Sequence, residues 1–335
     1  MTEALERPER RVLGRTGWDV PALGLGTYCL TTDWGVCHDE AVAIVRRALA
    51  LGVDLIDTAP LYGSGEAEVV LREALRGERR PHRILEKVGR FDHGIFRRQA
   101  DRAYVDAELI EAQLMHSLRL LGRESVDALL IHEADWERWW PDPAQVDGAP
   151  VLTALEHLRR EGRVERIGVS ARDVAAAERL CATGRFDLLL FVHFLNVVWQ
   201  EAGDRVLAAA AAHDMGVVVG APFRRGLLLT GDDDLLARLE QERHEDVPPG
   251  IVERIRRARA LADEAGMSLA ELGLRYLLSL DGVHCVLVGV ERVEQLEENV
   301  ARAARGPLPD DVLREISALR EVPPGSWASP AVSFG

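Results

Sequence analysis

VDLIDTAPLYGSGEAEVVLREALR, residues 53–76, is the stretch that decides the fold. A short apolar run, VDLIDTA (53–59), is cut off by Pro60 and by Gly63 and Gly65. From residue 65 to 76 the apolar residues recur at helical spacing, three and four apart. The stretch therefore reads as strand, turn and helix. Working outward, the same unit recurs along the chain. Strand-like runs lie at 21–28, 53–59, 83–89, 127–133, 164–170, 188–196, 216–222 and 284–290. Helical patterns lie at 39–51, 65–76, 104–121, 151–161, 173–182, 202–214, 250–280 and 293–304. Ser64, Asp173 and Asp204 are of the type that caps helix starts. Strands alternating with helices imply right-handed crossovers and a parallel sheet, and eight such units predict a single (β/α)8 TIM barrel.

The 335 residues would also accommodate two ordinary domains, but the spacing is regular and no linker interrupts it. One barrel domain over 1–335 is the expectation. Two segments fall outside the rhythm. Residues 10–20, RRVLGRTGWDV, read as a β-hairpin ahead of the barrel, and 222–249 as a long loop between strands seven and eight. A loop of that length usually carries function or covers something.

Composition narrows the function. The net charge of −14 repels nucleic acid and anionic membranes. The charged N-terminus and the lack of any run of 18 apolar residues point to a cytoplasmic protein without membrane association. The four cysteines, 29, 37, 181 and 285, are scattered, suggesting neither zinc nor disulfides. His244-Glu245-Asp246 has ligand types but lies in an acidic loop, so no metal is expected. Gly24-Leu25-Gly26 is not a dinucleotide turn, because Cys29 stands at the third glycine position and no helix opens there.

Of 41 basic residues, Lys87 is the only lysine. Arginine stays protonated, whereas a lysine can tune or share a proton, so the exception points to chemistry. In a barrel the active site lies where strands end. Asp57, Lys87 and His132 end strands two, three and four, and Tyr62 follows in the loop after Asp57. A tyrosine of pKa roughly 10 is a poor acid near neutrality, and a nearby ammonium is expected to lower that pKa. Asp57 would hold Lys87 charged and oriented. A neutral His132 would hydrogen-bond a carbonyl oxygen. This set suits reduction of a carbonyl by hydride transfer, or the reverse oxidation.

GVDLIDTAPLYGSGEAEVVLREAL (52–75) resembles the signature of the aldo-keto reductase superfamily, and LGRTGWDVPALGLGTY (13–28) its hairpin and first strand. EKVGR (86–90), LLIHEAD (129–135), RIGVSA (166–171) and VLVGVERVEQLEENV (286–300) follow in the family's order. VGAPFRRGLL (219–228) with VLVGV (286–290) resembles the branch of aldose dehydrogenases and pyridoxal-related enzymes. The resemblance implies a nicotinamide cofactor at the barrel mouth, NADPH with NADH as the alternative, and no metal. It makes Tyr62 the general acid, tuned by Lys87 and Asp57, with His132 orienting substrate. It assigns cofactor contacts to Thr27, Ser170, Arg224, Arg225, Gly289, Arg292, Gln295 and Asn299. Tyr28, Trp34, Trp136, Trp139, His193 and Trp327 are expected to shape the pocket of a small carbonyl substrate. Trp139 and Trp140 could instead cap a helix or form a subunit contact.

This sequence departs from the family pattern at several positions. Glu86 stands where a small hydroxyl residue is usual, and strand alternation points it toward the helices. Glu291 lies beside Arg292, Ala171 replaces a common asparagine, and FVHFLN (191–196) lacks the usual glutamine. Gly220 stands where many members carry a tyrosine that stacks on nicotinamide. The expected function is reduction of an aldehyde or ketone in natural-product or sugar metabolism. NAD(P)+-dependent aldose 1-dehydrogenation is the alternative. A cofactor-binding redox-sensing subunit and a barrel without cofactor are the rivals from other classes.

Overall fold

The computed structural model describes residues 5–91, 94–140, 146–242 and 250–321. Among the described residues there are ten strands: β1 (Arg10–Val12), β2 (Asp19–Pro21), β3 (Leu23–Gly26), β4 (Leu55–Asp57), β5 (Arg83–Val88), β6 (Val126–Ile131), β7 (Val164–Ala171), β8 (Leu188–Val192), β9 (Gly216–Gly220) and β10 (Cys285–Val288). β1 and β2 form the antiparallel hairpin, while β3 to β10 close into an eight-stranded parallel barrel in sequence order.

The helices are α1 (His38–Ala50), α2 (Glu66–Ala74), α3 (Ala100–Ala103), α4 (Ala107–Leu121), α5 (Pro150–Arg160) and α6 (Val174–Ala182). They continue with α7 (Ala208–Ala211), α8 (Asp233–Gln241), α9 (Ile251–Glu264), α10 (Leu269–Leu278), α11 (Val293–Ala304) and α12 (Asp310–Ala318). Among the described residues no helix is long and apolar enough to cross a membrane.

The strands read as near-continuous apolar runs because both their faces are buried. Alternation along each strand sorts its side chains into two cores. Leu55, Leu85, Ala128, Leu130, Leu188, Leu190, Val218 and Leu287 fill the barrel interior, closed below by Leu13, Trp18 and Val20 of the hairpin. Ile56, Ile84, Val88, Leu129, Ile131, Val169, Leu189 and Val219 face the helical shell instead. Asp57, Lys87 and His132 share the parity of Leu55, Leu85 and Leu130. They therefore point inward, one layer above the packed interior.

The structure corrects several local expectations. Asp173 does cap α6, accepting from the Ala176 N–H. Ser64 does not cap α2. It lies within a tight turn, Tyr62–Gly65, at φ +53°, and the helix opens after Gly65. Asp204 sits in a single wide helical turn, Gly203–Leu207, without capping it, and pairs with Arg320 at 2.6 Å. The sixth barrel strand stops at Val192 rather than 196. His193 turns at φ +71°, and Asn196 Oδ1 takes the Val198 and Trp199 N–H groups. The pattern over 250–280 is two helices, divided at Gly266 (φ +66°) and restarted by a Ser268 cap. Within the long segment after the seventh barrel strand, α8 forms over Asp233–Gln241. His244, Glu245 and Asp246 lie outside the described residues, as do Trp327 and the rest of the tail.

Candidate active site

Asp57, Tyr62, Lys87 and His132 converge at the C-terminal mouth. Lys87 Nζ donates to Asp57 Oδ1 at 2.5 Å and to the Thr58 carbonyl at 2.8 Å. The Tyr62 hydroxyl lies 3.5 Å from Asp57 Oδ2, and the ammonium lies 4.9 Å from the centre of the Tyr62 ring. The His132 ring meets the Tyr62 ring edge-on at 6.1 Å. All four are buried, with Lys87 only 1% exposed.

Burial drives the electrostatics here. It holds His132 well below the usual imidazole pKa, assisted by the charges of Lys87, Arg90 and Arg172, so the ring is neutral. His132 Nδ1 is buried without a hydrogen-bond partner. Asp57 is raised by burial, against the opposing pull of Lys87. Tyr62 runs opposite to expectation. Burial first, then the Asp57 carboxylate, lifts its pKa well above the usual phenol value. The ammonium lies over the ring face with two donors already engaged, so in this state the phenol keeps its proton.

The supporting shell begins with Thr27, whose buried hydroxyl donates to Thr58 Oγ1 at 3.0 Å beneath the Lys87 anchor. Ser170 is buried near the end of β7, level with His132 by strand register. Trp139 is not a pocket wall. Its indole has no exposed surface, donates to the His132 carbonyl at 3.1 Å and packs edge-on against Tyr104 at 4.6 Å. Gly89 has to be glycine beside it: its φ is +123°, and a Cβ would lie 2.5 Å from the Trp139 ring. Trp140 is likewise buried, donating to the Ala134 carbonyl at 2.7 Å. Trp139→Ala should cost about 3–5 kcal/mol of stability by leaving a cavity behind His132. Denaturant midpoints of variant and wild type measure this.

The mouth itself is aromatic and basic. Tyr28 stands edge-on to Tyr62 at 5.1 Å and to Trp34 at 5.4 Å, with the Arg225 guanidinium 5.3 Å from the Tyr28 ring. Trp136 is half-buried and flanked by Arg90 and Arg138. His193 is half-buried, and burial with the nearby Arg224 and Arg225 lowers its pKa to about 3. Arg224 is turned inward over the Phe194 and Trp199 rings, 4.6 Å from each, so Arg225 alone of that pair is exposed. Gly220 leaves no room for a larger side chain in this arrangement, because a Cβ would lie 2.8 Å from Val192 Cγ1.

Sequence reasoning missed an ion cluster beside His132. Arg172 approaches Glu133 at 3.4 Å and Asp135 at 4.0 Å, and Arg90 also lies 3.4 Å from Glu133. These residues follow directly on strand ends, which was the available signal. Arg90, Glu133, His193 and Ala221 all have positive φ just beyond the barrel strands. Strain of this kind concentrates where a loop is held for function.

The segment after β10 suits an anionic group. Gly289 is exposed, with its backbone bare beside Cys29 Sγ, 3.1 Å from where a Cβ would stand. Arg292 is exposed at the start of α11, whose first N–H groups receive no side-chain cap. Gln295 Oε1 accepts from the Glu291 N–H at 2.8 Å, and Asn299 Oδ1 from Arg302 at 3.0 Å, leaving both NH2 groups as the remaining polar ends. An uncapped helix start with an arginine and two amides is a donor set that matches a phosphate.

The chain is similar to known proteins along most of its length. A family model described as the Aldo/keto reductase family matches residues 22–321. L-galactose dehydrogenase of Arabidopsis thaliana is 28% identical over 93% of this chain and 94% of its own length. D-threo-aldose 1-dehydrogenase of a Pseudomonas species is 27% identical over 92% and 96%. Among solved structures, the holo form of an aldo-keto reductase from Bacillus halodurans aligns with a TM-score of 0.73. It covers 96% of this chain and 99% of its own at 22% identity, a likeness of fold.

Proposed function

The chain belongs to the aldo/keto reductase family and is an oxidoreductase of carbonyl compounds, and from that premise we propose that it reduces an aldehyde or ketone to the alcohol, with Tyr62 as proton donor. The observation that carries this reading is the buried contact chain from Lys87 through Asp57 to the Tyr62 hydroxyl, with a neutral His132 beside it. We take the chain to act as one barrel domain in the cytoplasm, on a small carbonyl compound.

A reduced nicotinamide, when bound, supplies the hydride. The Arg292, Gln295 and Asn299 side chains and the first N–H groups of α11 would hold its phosphate, with Arg225 at the rim and Ser170 inside the mouth. His132 directs a ring N–H at the carbonyl oxygen and fixes its position. Tyr62 keeps its proton until negative charge develops on that oxygen. The nascent alkoxide is more basic than the phenolate, so the proton then passes to it. Lys87, held by Asp57 and Thr58, stabilises the phenolate left behind. Tyr28, Trp34 and Trp136 offer flat apolar faces to the substrate.

A second reading, oxidation of an aldose at its anomeric carbon, is favoured by the likeness to D-threo-aldose 1-dehydrogenase. The two readings differ in direction and share every residue. Steady-state assays of NADPH and NADH with aldehydes and ketones, beside NADP+ and NAD+ with aldoses, separate them. We expect the higher kcat/KM in the reducing direction with NADPH. Higher values with aldoses and oxidised cofactor would select the second reading.

A further inference from the structure

Behind the catalytic lysine, between β5 and the helices, lie two carboxyl groups that the reaction does not use. Glu86 and Glu68 are both fully buried. Glu86 faces the shell, as its strand parity requires, and its Oε1 accepts the backbone N–H of Lys87 at 2.8 Å. Glu68, on α2, lies under the loop that carries Tyr62: its Oε2 is 3.4 Å from where a Cβ on Gly65 would stand. Neither Glu68 oxygen nor Glu86 Oε2 has a hydrogen-bond donor at ordinary distance, and the buried Ser117 hydroxyl on α4 is also unpartnered. Ser117, beyond ordinary hydrogen-bond distance, is the neutral group that draws the Glu68 pKa down against burial.

Among the described residues no ion pair reaches Glu68 or Glu86. From α4 come Ser117 and Gln113, and Gln113 is spent on the N–H and carbonyl of Gly89. β6 offers Leu129 opposite Glu86. From the barrel side Asp57 adds negative charge, and Lys87 is the cation that acts against it on Glu86. That lysine is already engaged by Asp57 and Thr58. A buried carboxylate without donors is costly, the charge of Glu68 acting on Glu86 adds to that cost, and such a site takes up a proton instead. One proton converts an acceptor oxygen into a donor, which the neighbouring carboxylate or hydroxyl then receives.

We propose that Glu68 and Glu86 are a proton-sharing carboxyl pair that positions Lys87 through its backbone N–H and withholds a further negative charge from the Asp57–Lys87–Tyr62 chain. Its catalytic consequence rests on the reaction proposed above; its protonation does not. The resemblance places a small hydroxyl residue at position 86, a neutral donor, and here a carboxylic acid takes that part.

Burial raises both groups, Glu68 to about 7 and Glu86 well above the usual carboxylate range, with the Glu68 charge the next contribution on Glu86. Such a pair titrates as a unit. Its folded pKa lies above the unfolded one, so its contribution to stability is whole in acid and is lost as pH rises through neutrality. Loss of the proton also places negative charge near Tyr62, and a charged Glu86 pushes the phenol's pKa upward and makes it a weaker acid.

The test uses the full chain with Glu86→Gln, Glu68→Gln and the double variant. Histidines held neutral, His132 and His193 among them, titrate alike in both proteins, so the unfolding midpoint of the wild type minus that of the double variant should fall from about pH 5 to about pH 9. Infrared spectra of the wild type should contain a protonated-carboxyl band at neutral pH that Glu86→Gln weakens. In carbonyl reduction the alkaline decline of kcat should shift or vanish in Glu86→Gln, with KM for the carbonyl unchanged. Glu86→Leu, which cannot hold the Lys87 N–H, should lose roughly tenfold to a hundredfold in kcat. If no protonated-carboxyl band is present in the wild type, the proposal is overturned, and that measurement needs no variant to fold. Matching stability–pH curves for wild type and Glu86→Gln overturn it as well. If instead no carbonyl is reduced while the band and the curves behave as described, the reaction assignment fails and the pair stands.

Discussion

Tyr62→Phe is expected to lower kcat for carbonyl reduction by about a hundredfold to ten-thousandfold, the contribution of a positioned general acid. The phenylalanine ring keeps the edge contacts with Tyr28 and His132 and the face presented to the Lys87 ammonium. Only the hydroxyl is lost, with its 3.5 Å approach to Asp57. Folding and cofactor binding should therefore persist, so fluorescence titration with NADPH should give an unchanged Kd. A variant that turns over at the wild-type rate would remove Tyr62 from the reaction. Negligible turnover in both proteins, with cofactor bound, would favour the redox-sensing rival.

Lys87→Arg should be nearly as damaging although it keeps the positive charge. The ammonium occupies a site with 1% of its surface exposed, between Asp57 Oδ1 and the Thr58 carbonyl. A guanidinium is planar and larger, and its fork cannot reproduce a point charge held at 2.5 Å and 2.8 Å from two acceptors. It would press on Tyr62 and displace its hydroxyl, and misplacement of that order costs about a hundredfold. The expected result is a kcat loss of at least that size with a folded barrel by circular dichroism. Near-normal turnover would make the lone lysine incidental.

Much of this was legible in the chain because strand parity carries it. Once 53–59, 83–89 and 127–133 are read as strands, Asp57, Lys87 and His132 fall on the face shared by Leu55, Leu85 and Leu130. The barrel mouth then follows. What parity does not encode is depth. The direction of the Tyr62 pKa depends on how far the phenol is buried and on which part of the ring the ammonium meets, and neither has a local signature. Trp139 was expected at the mouth because its loop leaves strand four. That loop folds back beneath His132 instead, into the space that Gly89 vacates. Ser64 and Asp204 have capping side chains, but a cap needs a particular approach of the chain. The left-handed turn at 63–65 and the wide turn at 203–207 deny it. Glu68 stood unremarked within the most informative stretch of all, since a carboxylate on a helix face reads as solvated until the opposing strand is known.

The central claim is that this mouth moves hydride to a carbonyl carbon while the phenol supplies the proton. Reduced cofactor carrying deuterium at its transferable position, incubated with aldehydes and ketones, tests it when the product alcohols are weighed by mass spectrometry. The account predicts one deuterium on the former carbonyl carbon with the wild type, and almost none of that product with Tyr62→Phe. Alcohol formed without the label, or labelled equally well by the phenylalanine variant, would contradict it.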